Sequence, residues 1–215
     1  MCGRYTLHTT DELEERYRVE VSEAIRPNYN VAPSQTMPVV TSDGLSLMRW
    51  GLIPKWAKDE KIGYKLINAR SETVFEKPMW KGIVKQHRCL VPANGFYEWQ
   101  KREAGKQPFY IHFPDERIFS FAGLWETWLH EGKEWQSYSI LTTSPNQEME
   151  PIHDRMPVIL HPDDEAQWLA ADTEEDITVL LAPYESGVLE TYGVGTEVNA
   201  VRVNDKTLID PINSK

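Results

Sequence analysis

A chain of 215 residues, 40% apolar and 26% charged, holds enough apolar material for one core of ordinary size and is expected to form one domain over residues 1–215. Two cysteines, Cys2 and Cys89, without a Cys-x-x-Cys pair argue against a disulfide framework or a zinc module, and no run approaches the roughly 18 apolar residues that span a bilayer, so a soluble, cytoplasmic chain is expected. The formal net charge of −10 argues against a nucleic-acid partner until its distribution is considered: residues 45–106 hold 13 Lys and Arg against 6 Asp and Glu, whereas residues 107–215 carry a balance of −14.

In chain order, Thr9 and Glu12 stand at capping-box spacing, and Leu13, Tyr17 and Val21 follow at helical intervals, which predicts a short surface helix over residues 10–20. A proline-rich extended stretch leads to PVVTS and LSLMRW around Asp43-Gly44, a hairpin signal over residues 38–50. HRCLVP, GFYEWQK, QPFYIHF, RIFSFAGLW, EWQSYSILTT and PVIL are short, aromatic or β-branched, and separated by turn residues, so each reads as a strand. Toward the C-terminus Pro162 opens a helix with Trp168 and Leu169 inward, and Thr173 caps another that carries Ile177, Leu180 and Leu181. The sum is an α+β chain with no internal repeat or linker.

Cys2 is the most unusual placement. Removal of Met1 ahead of a small residue leaves one residue with both a free α-amine and a thiol, whose reference pKa values are about 7.7–8.0 and 8.5, so both lie near their nucleophilic forms at neutral pH. Such a group can attack an acyl carbon as an N-terminal nucleophile, or condense with an aldehyde to an imine that the thiol closes to a five-membered thiazolidine. The bland alternative is a small apolar residue near a chain end. Three polar residues stand where apolar ones cost less. Asn68, in LINARSET, is a possible helix cap, as is Ser71. Glu98, between Tyr97 and Trp99, faces either solvent or a partly buried site. His153 opens IHDRMP beside Asp154 and Arg155, as a solvated loop histidine or a held proton donor.

These strings, in this order, also carry a likeness. MCGRY at 1–5, YNVAPSQ at 29–35, WGLIPKW at 50–56, INARSET at 67–73, KPMW at 77–80, GFYEW at 95–99, PFYI at 108–111, FAGLWE at 121–126, the Thr pair at 142–143 and HDRMPVIL at 153–160 resemble the SRAP domain, the abasic-site processing family, over nearly the whole chain. The resemblance implies a curved, barrel-like, mostly antiparallel β-sheet with flanking helices, and a protein that traps abasic sites in single-stranded DNA as a covalent crosslink, with abasic-site lyase activity alongside. By that likeness Cys2 forms the thiazolidine, Asn68 positions the terminal amine and sugar, Glu98 moves protons during ring opening and imine formation, His153 is the acid-base group opposite it, and Thr142 lines the pocket. It further implies DNA contacts by Arg4 and Arg70. His87 and Cys89, two apart with no second pair, are poor zinc ligands, and no metal, cofactor or membrane is expected. The chain is expected to act as a monomer, at the nucleoid if bacterial.

Arg49, Arg88 and Arg155 lie beside the matched strings and are expected to reach phosphates, while Trp50, Trp56 and Trp99 are expected to stack on or wedge beside bases, Trp56 being the best candidate for exposure. Some relatives carry a second tryptophan after the position of Trp56, where this chain has Ala57. Two other functions remain open. An N-terminal-nucleophile amidohydrolase or peptidase would use Cys2 with Asn94-Gly95 as oxyanion site. A non-covalent single-strand binder would use the aromatics alone.

Overall fold

The computed structural model describes residues 2–212, so Met1, whose removal is expected, lies outside the described residues. In chain order the strands are β1 (Arg4–Leu7), β2 (Asn28–Val31), β3 (Thr36–Thr41), β4 (Gly44–Trp50), β5 (Asn68–Arg70), β6 (Arg88–Ala93) and β7 (Gly95–Arg102). They continue with β8 (Gly105–His112), β9 (Phe119–His130), β10 (Lys133–Thr143), β11 (Met156–Pro157), β12 (Ile159–Leu160) and β13 (Glu190–Gly193). Short helices intervene: α1 (Leu13–Tyr17), α2 (Pro78–Lys81), α3 (Ile83–Gln86), α4 (Glu165–Ala170) and α5 (Glu174–Thr178).

The expected mostly antiparallel, barrel-like architecture is present, with the strands divided between two sheets. One runs β13-β8-β7-β1-β2. In the other, β10, β4, β3, β6 and β9 pair in that order and β9 pairs back to β10, which closes a five-strand barrel. Closure leaves no open edge on those five strands. Most pairings are antiparallel, but β10 runs parallel to β4 and β5.

Side chains alternate across the barrel wall because successive Cβ atoms of a strand point to opposite faces. Val39, Cys89, Val91, Phe121 and Ile140 join a core that includes Cys2, Tyr5, Trp50 and Phe96. Their neighbours Val40, Leu90, Ala122 and Leu141 join a separate core with Val84, Trp80, Leu180 and Trp168 from the flanking helices. Both faces are therefore covered, and HRCLVP and RIFSFAGLW read as continuous apolar runs for that reason. A third cluster sets Tyr97 and Tyr110 against Val194, Val198, Leu208 and Ile209 of the C-terminal segment.

Several local expectations differ. Thr9 makes no capping bond; its Oγ1 accepts from Asn94 Nδ2 at 2.8 Å, and a 3-10 turn over Thr10–Glu12 leads into α1, which stops at Arg18 with φ 54°. Glu14 Oε1 accepts from Val21 N at 3.0 Å, folding the chain back where the helix was expected to continue. Thr173 does cap α5, accepting from Asp176 N at 3.1 Å. The β9–β10 hairpin turns on Glu131 (φ 49°) and Gly132 (φ 74°), the positive pair of a type I′ turn. No described helix is long and apolar enough to cross a membrane.

Candidate active site

Cys2 lies just ahead of β1, whose pairing with β7 sets Arg4 opposite Tyr97 and Tyr5 opposite Phe96. Continuing that antiparallel register carries the first residues past Glu98 and Trp99. Glu98 is 2% exposed, and its Oε2 accepts the Trp99 N–H at 3.3 Å, so its carboxylate belongs to the interior and not to the surface. Cys2 has no exposed surface. Burial first, and the Glu98 carboxylate second, push its thiol well above the ordinary range.

Asn68 reaches this place by a detour. Trp50 pairs with Tyr138 of β10, and Asn68 pairs with Ile140 two residues farther along the same strand, so β4 and β5 occupy one lane beside β10. Residues 51–67 leave that lane and return to it. The two ends of the detour cross at Gly51 and Gly63: Gly51 has φ 111°, and a Cβ on it would stand 2.6 Å from Gly63 O. Asn68 caps no helix. Its Nδ2 donates to Cys2 O at 2.9 Å, and its buried Oδ1 has no partner among the described residues.

His153 stands on the segment between β10 and β11, which Met149 and Ile152 anchor in the core. Gln100 Nε2 donates to Pro151 O at 2.8 Å and so ties that segment to β7, the strand that carries Glu98. His153 Nδ1 accepts from Arg155 N at 3.1 Å and lies 2.9 Å from Asp154 Oδ1. The first contact fits a neutral ring protonated on Nε2; the second fits an imidazolium whose Nδ1–H faces Asp154.

Arg155 is a correction. It is 8% exposed, forks onto both carboxylate oxygens of Glu72, and donates to Thr142 O and, at 3.2 Å, to Thr142 Oγ1. A guanidinium so engaged fixes Thr142, itself 1% exposed, and is not open to a phosphate. Trp50 is another. It is 1% exposed, packs against Tyr5 and Tyr138, and donates Nε1 to Ile67 O at 3.0 Å, so it supports the re-entry of Asn68 instead of stacking on a base. Arg88 is buried and donates to the carbonyls of Val84, Lys85, Trp168, Leu169 and Ala171, which end α3 and α4. Arg49 lies over the Tyr64 ring at 5.5 Å.

Arg4 and Trp99 meet at one residue. Arg4 Nη2 donates to Asn199 O at 3.4 Å and Trp99 Nε1 donates to Asn199 Oδ1 at 2.9 Å. Arg70 is exposed at the end of β5, opposite Thr142. Trp56 is 65% exposed on the detour, whose next residue, Ala57, accepts the Trp128 Nε1–H at 2.9 Å. Gln100 and Asn199 carried no signal in the sequence, since what singles them out is a partner remote along the chain.

The family model described as SOS response associated peptidase (SRAP) matches residues 1–201. The chain belongs to the SRAP family. Among SRAP relatives it is 43% identical to abasic site processing protein YoaM of Bacillus subtilis, covering 99% of both chains. It is 35% identical to abasic site processing protein HMCES of Xenopus tropicalis, covering 85% of this chain and 65% of that one. A crystal structure of a protein from Bacteroides thetaiotaomicron superposes with a TM-score of 0.91 at 30% identity, over 98% of this chain and all of the other. The fold is thus shared with that structure over nearly the whole chain.

Proposed function

We propose that this SRAP protein processes abasic sites in single-stranded DNA by covalent capture on Cys2, once Met1 has been removed. The observation that carries the reading is the hydrogen bond from Asn68 Nδ2 to Cys2 O at 2.9 Å, which fixes the leading residue in a buried position within electrostatic reach of Glu98.

The chemistry follows from the groups gathered there. An abasic sugar is mostly a closed hemiacetal; Glu98 takes the proton of its anomeric hydroxyl while His153 Nε2 protonates the ring oxygen, and an aldehyde results. The α-amine attacks that carbon, and loss of water gives an imine. The amine goes first because the thiol is held protonated by burial and by Glu98. The thiol then adds to the imine carbon as its proton passes through Glu98 to nitrogen, closing the thiazolidine. The net reaction releases one water. Asn68 Oδ1, unpartnered among the described residues, accepts from the amine and sets its direction.

The imine has a competing fate. Loss of a proton from the adjacent sugar carbon expels the 3′ phosphate, which is lyase chemistry, and ring closure by the thiol outruns it. Cys2→Ser should therefore retain strand cleavage and lose the durable adduct on denaturing gels; an equally stable adduct from Cys2→Ser would defeat the ring assignment.

The amidohydrolase reading meets an obstacle at Asn94. Its Oδ1 accepts from His8 N and Thr9 N, and its Nδ2 donates to Thr9 Oγ1 and Glu116 O, so its side chain has no donor left for an oxyanion. Turnover of glutamine or acyl amides without any adduct on abasic DNA would restore it.

A further inference from the structure

Beside the detour that carries Trp56, a cavity of about 260 Å³ is walled by Pro54, Trp56, Pro78, Met79, Ile83 and Glu126. The Glu126 side chain that lines it is 7% exposed. Oε1 accepts the Thr127 N–H at 3.0 Å and lies 3.2 Å from Lys55 Nζ and 3.3 Å from His87 Nδ1. Oε2 takes part in no hydrogen bond among the described residues. A carboxylate is retained in so covered a place only with a charge partner, and Lys55 supplies it at Oε1, leaving the other oxygen to accept from a visiting N–H. Trp56 offers an aromatic face at the rim, and Lys58 and Lys81, exposed neighbours along the chain, add positive charge.

An exposed aromatic plate beside a single buried carboxylate forms a combination suited to one base of a single strand. We propose that this cavity holds an intact nucleobase flanking the abasic site, and that Glu126 selects bases with an exocyclic amino group. The inference rests on the abasic-site reading and adds where a neighbouring base goes. Cytosine presents an amino N–H that a glutamate accepts. Uracil and thymine present carbonyl oxygens on either side of N3–H, and those oxygens repel a carboxylate drawn up to the edge. A base is favoured over a peptide by continuity with the detour, which leaves the lane beside β10 at Gly51, carries Trp56 on the cavity wall and returns at Asn68, the residue bonded to Cys2 O.

The test uses fluorescence polarisation of the full chain with single strands that carry a tetrahydrofuran abasic analogue, which cannot open, between tracts of dC or dU. The dC strand should bind roughly fivefold to tenfold tighter, the modest end of what one base contact discriminates. Glu126→Gln should shrink that ratio toward one. Because a buried substitution can unfold the chain, Gly82→Leu provides a second route: a Cβ there meets nothing within 4 Å, so the new side chain enters the cavity mouth without strain and should also erase the preference. Equal affinities for dC and dU, or a full preference retained by Gly82→Leu, would overturn the proposal. Covalent capture of a natural abasic strand by the wild-type chain is scored in parallel. Its failure defeats the abasic-site reading, whereas capture with equal dC and dU affinities defeats the base cavity alone.

Discussion

At the residue scale, the site depends on groups whose meaning changes with burial. Cys2 has no exposed surface, and its thiol is raised first by that burial and then by Glu98. Its native alkylation by iodoacetamide at pH 8 should therefore be much slower than that of a free cysteine; equal rates would contradict a protonated resting thiol. Asn68→Ala removes one hydrogen bond to Cys2 O, about 1 kcal/mol for a neutral pair, and should slow capture by roughly fivefold to tenfold while leaving DNA affinity nearly intact. A loss confined to affinity would contradict a positioning role. Glu72 carries a pH-dependent stability contribution, because its hydrogen bond to Arg155 holds its carboxyl below the ordinary value. The pair then stabilises the fold above the usual glutamate range near about pH 4.3 and ceases to do so as pH falls through the depressed folded value. With the Glu72 side chain 47% exposed, the stability gap to Glu72→Gln should be about 1 kcal/mol or less at pH 7 and close on acidification. A gap that widens in acid would contradict it. Residue type singled out Cys2, Asn68, Glu98 and His153 as candidates because each is a polar group in an apolar setting, and their catalytic roles belong to the proposed function. It misled at Arg155 and Trp50, whose types suit DNA but whose partners, Glu72 and Tyr138, lie far along the chain.

At the scale of elements, the detour over residues 51–67 is the device that brings Asn68 to Cys2. Its entrance needs a positive φ at Gly51 and a bare Cα where Gly63 passes. Gly51→Ala should cost about 1–3 kcal/mol in thermal or denaturant unfolding, since the strained φ and the close carbonyl act together, and should lower capture by displacing Asn68. An unchanged melting temperature would show that the crossing is slack. Hairpins such as Asp43-Gly44 and the strand runs were legible because turn chemistry and alternation are local. The shared lane of β4 and β5 was not, since it depends on β10, whose paired residues Tyr138 and Ile140 lie far along the chain from Trp50 and Asn68. Thr9 shows the converse: a valid capping spacing lost to a competing partner, Asn94.

For the whole molecule, β10 pairs with Asn68 through Ile140, carries Thr142 and leads into the segment that holds His153, while Asn68 reaches across to Cys2 O ahead of β1, the neighbour of the β7 strand that carries Glu98. The net charge of −10 coexists with the basic stretch of residues 45–106, which holds Arg49, Lys55, Lys58 and Arg70. Non-covalent binding to a single strand should accordingly weaken steeply with salt, and a flat salt response would contradict a phosphate-led interface. The barrel class was readable from many short strands in sequence; which strands close it was not, because parallel pairing across a long detour leaves no local mark.

The most direct measurement is peptide mass spectrometry of the mature chain after incubation with a single-stranded oligonucleotide containing one natural abasic site. The account predicts a chain lacking Met1, with the sugar adduct on the peptide that begins at Cys2 and a mass lower by one water than the sum of the reactants. An adduct on an internal lysine, or capture by a chain that still keeps Met1, would contradict it.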